Sequence, residues 1–158
     1  MGSAYDDAVQ MLARRELSAA QLTARLLERE HTKEDVEAAI EQLRDSGALD
    51  DARLARAYAE TALKVKGRGR LRIQRELNEM GISREVAADA LAETFGEVDE
   101  RRLIAKAITK KLRGHRKIET PGEYARVYQF LMRQGFSPAA VSAALRTLRK
   151  GDDPADSV

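Results

Sequence analysis

The chain contains no cysteine and no tryptophan. Without thiols it forms no disulfide, holds no zinc–thiolate site and carries no cysteine nucleophile. Aromatic residues amount to 4% of the chain: Tyr5, Tyr58, Phe95, Tyr124, Tyr128, Phe130 and Phe136. That leaves little material for a sheet and few rings on which single-stranded bases stack. No run of about 18 apolar residues occurs, so no membrane span is expected. The N-terminus lacks a basic region followed by an apolar one, so a cytoplasmic location is expected rather than a secreted one.

Catalytic constellations are equally scarce. The two histidines, His31 and His115, have no partner at the spacing of metal ligands on a helix. No Gly-x-Ser-x-Gly nucleophile turn is present. Gly67-x-Gly69 lacks the preceding strand that a phosphate-cradling loop needs. Asp50 and Asp51 are neighbours, and neighbouring helical residues do not converge on one point; they read as a helix start. The expectation is a protein that is not an enzyme and has no cofactor and no metal.

What the chain does have is helix-forming residues arranged in a repeat. Ala, Leu, Glu and Arg dominate its 158 residues. Thr32, Ser83 and Ser137 each open a helix after a short turn, at intervals of 51 and 54 residues. Ten positions before them stand Leu22, Ile73 and Val127, and six before, Leu26, Leu77 and Leu131. Ala39-Ile40, Ala90-Leu91 and Ala144-Leu145 follow at seven and eight. Glu30-His31, Gly81-Ile82 and Gly135-Phe136 fill the same turn positions. Self-similarity at a fixed period marks a repeat architecture.

Each repeat reads as three helices. In the first, Ala4 to about Arg15 is expected to bury Val9 and Leu12, Ser18 with Gln21 forms a capping box, and Thr32 opens the third helix. Later helices are expected at about 51–65, 70–80, 83–95, 98–113, 121–134 and 138–150. Thr120-Pro121-Gly122-Glu123 combines a cap, a proline at the first helical position and a reciprocal glutamate. Gly96 and the stretch from Gly114 to Glu119 read as hinges, and residues 152–158 as a frayed tail. The fold class is all-α: three tandem three-helix, helix-turn-helix-like repeats (1–49, 50–96 and 97–151, with 152–158 as a disordered tail) forming an elongated curved array.

The stretch from Gly47 to Ser83 is the most specific. It carries Gly47-x-Leu49-Asp50-Asp51-x-Arg53-x-Ala55-x-x-Tyr58 and then Gly67-x-Gly69-x-x-Arg72-Ile73-x-x-Glu76-Leu77-x-x-x-Gly81-Ile82. A fainter echo lies in Leu12-Ala13-Arg14-Arg15-Glu16-Leu17-Ser18 with Leu22. These residues resemble the RecX family of bacterial recombinase regulators. Leu54 stands where the family usually has Phe, and Arg70 where it often has Pro; neither departure removes a charge or a glycine.

Charge is distributed unevenly behind a net of only +2. Residues 1–50 hold six Lys and Arg against eleven Asp and Glu; residues 101–150 hold thirteen against two. Two basic clusters result. Lys64, Lys66, Arg68 and Arg70 precede Arg72 and Arg75, which are spaced to pair with Glu76 and Glu79; the first four have no evident neutraliser within their helix. The second cluster is a stripe of Arg102, Lys106, Lys110 and Arg113 opposite an apolar face of Leu103, Ile104, Ala107, Ile108 and Leu112. Lys111, Arg116 and Lys117 extend it. Like charges at i,i+4 destabilise a helix by roughly 0.2–0.5 kcal/mol per pair. Such a stripe suits phosphates or an acidic protein surface better than a solvated face. The third helices of the repeats carry few Asn, Gln or Arg near their starts, so contact with the DNA backbone is expected rather than base reading.

The resemblance implies a monomeric, cytoplasmic regulator that binds the RecA–DNA filament and inhibits the recombinase in DNA repair and the SOS response. Its partners would then be the RecA filament and single- or double-stranded DNA without sequence preference. Two alternatives use the same basic faces: a stand-alone DNA-binding repressor or architectural factor, and a helical scaffold for an acidic protein.

Overall fold

Helices begin where side-chain oxygens can accept the free N–H groups of a first turn. Ser3 opens α1 (Ala4–Arg14) by accepting from Asp6 N. Ser18 and Gln21 form the complete capping box of α2 (Ala19–Glu28). Thr32 caps α3 (Lys33–Asp45), and Asp50 caps α4 (Asp51–Lys64) by accepting from Arg53 N at 3.0 Å. α5 (Arg70–Glu79) follows the glycine joint. Ser83 and Ser137 accept from Val86 N and Ala140 N at the heads of α6 (Arg84–Phe95) and α9 (Pro138–Arg149). Asp99 caps α7 (Glu100–Leu112) and Thr120 caps α8 (Pro121–Gln134). The reciprocal bond of Glu123 reaches Glu119 N at 3.0 Å, one residue earlier than the sequence pattern predicts. The computed structural model describes residues 2–113 and 117–149; among them are nine helices and no strand. Gly114 of the expected hinge and the expected tail at 152–158 lie outside the described residues.

Every apolar position of the repeat series is buried. Leu22, Ile73 and Val127, then Leu26, Leu77 and Leu131, are at most 3% exposed, and the Ala-Ile and Ala-Leu pairs that follow the caps are buried too. The turn between second and third helices is left-handed in all three cases, with φ of 68° at Glu30, 82° at Gly81 and 98° at Gly135. One expectation fails at the start. Val9 is 42% exposed, and α1 buries Ala4 and Ala8 instead, with Met11 and Leu12 partly buried against the core. Ala4, Ala8 and Met11 recur at i, i+4 and i+7, and Val9 stands one residue, about 100°, off that line.

The helices fall into two compact units that do not follow chain order. The first comprises Met1–Ala59 and Glu76–Glu93. Its core gathers Leu17, Leu22, Leu26, Val36, Ile40, Leu43 and Leu49. Ser18, fully buried, accepts from Gln21 N and donates to the carbonyl of Met80. Asp51 accepts from Ala19 N at 2.9 Å, so a residue of α4 helps cap α2. Asp7, His31 and Arg29 form a further cluster, with His31 Nε2 2.6 Å from the Asp7 carboxylate.

The second unit comprises Glu60–Arg75 and Thr94–Val158. Its core holds Ile104, Ile108, Val127, Leu131, Phe136, Val141, Leu145 and Leu148. Glu100, in the first turn of α7, accepts from both Ser137 N and Ser137 Oγ, at 3.1 and 2.8 Å, and so holds the head of α9. The glycine joint is packed into this unit: Gly69 N donates to Gln134 O at 2.6 Å and Leu71 N to Gly135 O at 3.0 Å.

Candidate anion-binding face

Division into units sharpens the charge asymmetry. The first unit holds nine Lys and Arg against seventeen Asp and Glu, a net of −8; the second holds nineteen against nine, a net of +10. Both basic clusters belong to the second unit, because the joint between α4 and α5 is bonded to the end of α8 and falls in the same compact unit as α7, α8 and α9.

Local structure aims the joint outward. α4 ends in a left-handed Gly67 at φ 63°, with Gly67 N bonded to Leu63 O and Arg68 N to Ala62 O. That pattern satisfies the last carbonyls of a helix and turns the chain sharply. Lys64, Val65 and Lys66 are left exposed on the shoulder of the turn. On α7 the apolar residues face the core, and Arg102, Lys106, Lys110, Lys111 and Arg113 are exposed.

Lys64 and Lys66 of the joint and Lys106, Lys110, Lys111 and Arg113 of α7 line one groove of about 640 Å³. Leu63, Val65, Leu103, Ala107 and Phe130 supply its apolar lining, and no acidic residue lines it among the described residues. The Lys111 ammonium lies 5.0 Å from the centre of the Phe130 ring, within range of a cation–π attraction. Lys64, Lys110 and Lys111 stand in last turns, where a cation also opposes the negative end of the helix dipole. Lys106, in mid-helix, has no such role. Arg113 takes the left-handed C-cap conformation, φ 48° and ψ 49°. Glycine adopts it freely, whereas a side chain there costs about 1–2 kcal/mol.

The remaining predicted residues lie elsewhere. Arg68 is half-buried and Arg70 exposed, neither on the groove wall. Arg72 is also half-buried, and its Nη1 donates to Gln134 Oε1 at 2.8 Å, a contact that fastens α5 to the end of α8. Arg102 stands 3.8 Å from the Asp99 carboxylate, and Lys117 is exposed. Arg116 lies outside the described residues.

Lys64 does have a neutraliser, contrary to the sequence reading. Its ammonium donates to Glu60 Oε1 at 2.6 Å, one helical turn back. This hydrogen bond, with the charge of Lys64, holds the Glu60 carboxyl below its ordinary pKa, against a small opposing effect of burial. The i,i+4 spacing was the available signal. The apolar part of the groove was also missed: Val65 is 75% exposed, and nothing in its local pattern distinguishes it from an ordinary helix-end residue. Among the described residues no cluster of His, Asp and Glu is arranged to hold a metal ion, and no helix is long and apolar enough to cross a membrane.

Comparison with known proteins adds to this geometry. Family models described as the first, second and third three-helix domains of RecX match residues 4–43, 50–91 and 99–145. "Regulatory protein RecX" of Chromohalobacter salexigens is 35% identical over 145 residues, covering 89% of each chain. That of Vibrio parahaemolyticus is 33% identical over 143 residues, covering 90% of each. A crystal structure of regulatory protein RecX superposes with a TM-score of 0.77 at 26% identity, over 89% of this chain and 70% of that one. The RecX of Lactobacillus salivarius shares the fold, with a TM-score of 0.71 at 16% identity over 92% and 94%. Three consecutive domain matches in family order, with relatives alike over nearly their whole length, establish that this chain belongs to the RecX family of regulatory proteins.

Proposed function

We propose that this chain binds the RecA–DNA filament through the basic face of its second unit and restrains the recombinase's ATPase, strand-exchange and coprotease activities. The observation that carries the reading is that Lys64 and Lys66 of the first basic cluster share one groove with Lys106, Lys110, Lys111 and Arg113 of the second, far apart in sequence, with no acid in its described wall. A nucleoprotein filament presents phosphates and acidic side chains together, so long-range attraction favours the +10 unit and repels the −8 unit. The chain acts without chemistry of its own; the recombinase hydrolyses the ATP. It works in the cytoplasm as a monomer. Restraint follows when the bound chain has higher affinity for an inactive filament state than for the active one, since only differential affinity shifts such an equilibrium.

The test is a titration of this protein into RecA filaments on single-stranded DNA, with ATP hydrolysis and strand exchange read in parallel. Wild-type protein lowers both, and a Lys106→Ala, Lys110→Ala variant lowers them much less. A protein that binds DNA yet leaves both activities untouched is a stand-alone DNA-binding factor instead.

A further inference from the structure

We infer that the groove between the α4–α5 joint and α7 seats a protein segment in which an apolar side chain stands between carboxylates. This inference deepens the filament reading and rests on it, for the segment is one that the recombinase presents. Three features of the groove favour an acidic peptide over a nucleic-acid backbone.

The first is Val65, 75% exposed between Lys64 and Lys66. Beside it the lining includes Leu103, Ala107 and Phe130, all partly exposed. A phosphodiester chain is charged and hydrated throughout and gains nothing from such a lining. An apolar side chain gains the release of water from both surfaces. The second feature is Phe130, the one aromatic residue among those lining the groove, whose ring is capped by the Lys111 ammonium at 5.0 Å. A base stacking there would have to displace that cation, whereas an aliphatic side chain fits at the ring edge beneath it. The third is charge: Lys64 and Lys66 of the joint and Lys106, Lys110, Lys111 and Arg113 of α7 line the groove together with the apolar residues, with no acid among the described lining residues. Carboxylates flanking an anchor of one or two apolar residues match that lining. A groove of about 640 Å³ also holds an anchor side chain with its neighbours.

The experiment uses fluorescence anisotropy on the whole protein. The probe is a labelled peptide of pattern Asp-Asp-Leu-Phe-Asp-Asp; the controls are the same peptide with Ser-Ser at its centre and a single-stranded oligonucleotide of equal charge. The Leu-Phe peptide should bind at physiological salt about fivefold or more tightly than the Ser-Ser peptide. Val65→Ser, at an exposed site where melting should not change, should weaken the Leu-Phe peptide by about fivefold and move the oligonucleotide by less than about twofold. Lys110→Glu should abolish peptide binding. Equal affinity for the two peptides overturns the inference, as does insensitivity to Val65→Ser or an oligonucleotide that outcompetes the peptide. The filament titration separates the two readings. If the peptide results fail while Lys106→Ala, Lys110→Ala still relieves inhibition, the filament reading stands and the anchor falls. If the peptide binds as expected while filaments are unaffected by wild-type protein, the groove is a peptide site and the filament reading falls.

Discussion

Gly69 and Gly135 meet main chain to main chain. A Cβ on Gly69 would stand 2.6 Å from the carbonyl carbon and oxygen of Gly135, and Gly69 N already donates to Gln134 O at 2.6 Å. A Cβ on Gly135 would in turn collide with Arg72 N and Cβ. The joint is thus fixed to the second unit by a contact that only glycine permits. Gly67 is different, with open space around it but a left-handed φ of 63°. Gly69→Ala therefore destabilises the protein by about 2 kcal/mol, because backbone cannot yield as a side chain does. Gly67→Ala costs about 1 kcal/mol, from conformational strain alone. Denaturant melting of each single variant orders them; Gly69→Ala melting at the wild-type denaturant concentration would show that the close approach is not required.

The same turn carries opposite residues in different places. Glu30 holds φ 68° where the equivalent Gly81 and Gly135 hold 82° and 98°. A side chain in this conformation costs about 1–2 kcal/mol, while glycine loses roughly 0.5–1 kcal/mol more backbone entropy on folding. The first effect wins, so Glu30→Gly raises stability by up to about 1 kcal/mol. A lowered melting temperature would mean that the exposed Glu30 side chain has a stabilising partner after all.

Much of this fold was legible as spacing. The caps at Thr32, Ser83 and Ser137 and the apolar positions around them are local signals, and the helices start and bury as those signals require. Val9 was misread because two alanines, poor in apolar area, define the buried line of α1. Contacts distant in sequence were not legible. Asp51 to Ala19, Glu100 to Ser137 and Gly69 to Gln134 span tens of residues and leave no periodic trace. The candidate site shows the same limit. Each basic cluster was visible alone, but that Lys64 and Lys66 share a groove with Lys106 and Lys110 depends on the Gly69–Gln134 contact.

Glu60 tempers the groove by neutralising Lys64 at 2.6 Å. Glu60→Gln leaves that ammonium available and should raise affinity for polyanions about two- to fivefold at low salt, with less effect at physiological salt. The pair has a defined pH sign. Because the folded carboxyl titrates below its reference value of 4.5, the pair's contribution is present above that value and is lost as pH falls through the lowered one. An amide at this position has no such titration, so wild-type and Glu60→Gln melting curves should differ above pH 4.5 and converge only once pH has fallen through the lowered value. Convergence at neutral pH, or unchanged affinity for DNA at low salt, would remove Glu60 from the account.

The exposed row on α7 gives the most direct measurement. Arg102, Lys106, Lys110 and Arg113 follow one another at i+4, i+4 and i+3, and Arg102 at the head of the row stands 3.8 Å from Asp99. On the proposed reading these side chains contact phosphates on naked DNA, whichever filament component the groove prefers. Each neutralised phosphate contributes about −0.9 to the slope of log affinity against log salt on a duplex, and about −0.7 on a single strand. Lys106→Ala with Lys110→Ala should therefore make the slope shallower by about 1.8 or 1.4, equally for every DNA sequence. Stability should hold or rise by up to about 1 kcal/mol, because three like-charged neighbour pairs disappear and alanine favours a helix. The signs matter as a pair, since a misfolded variant also binds weakly but melts early. A variant that melts no earlier than wild type and keeps its full salt slope would show the row to be a solvated face, and Arg68 and Arg70 at the joint would then be the next cations to replace.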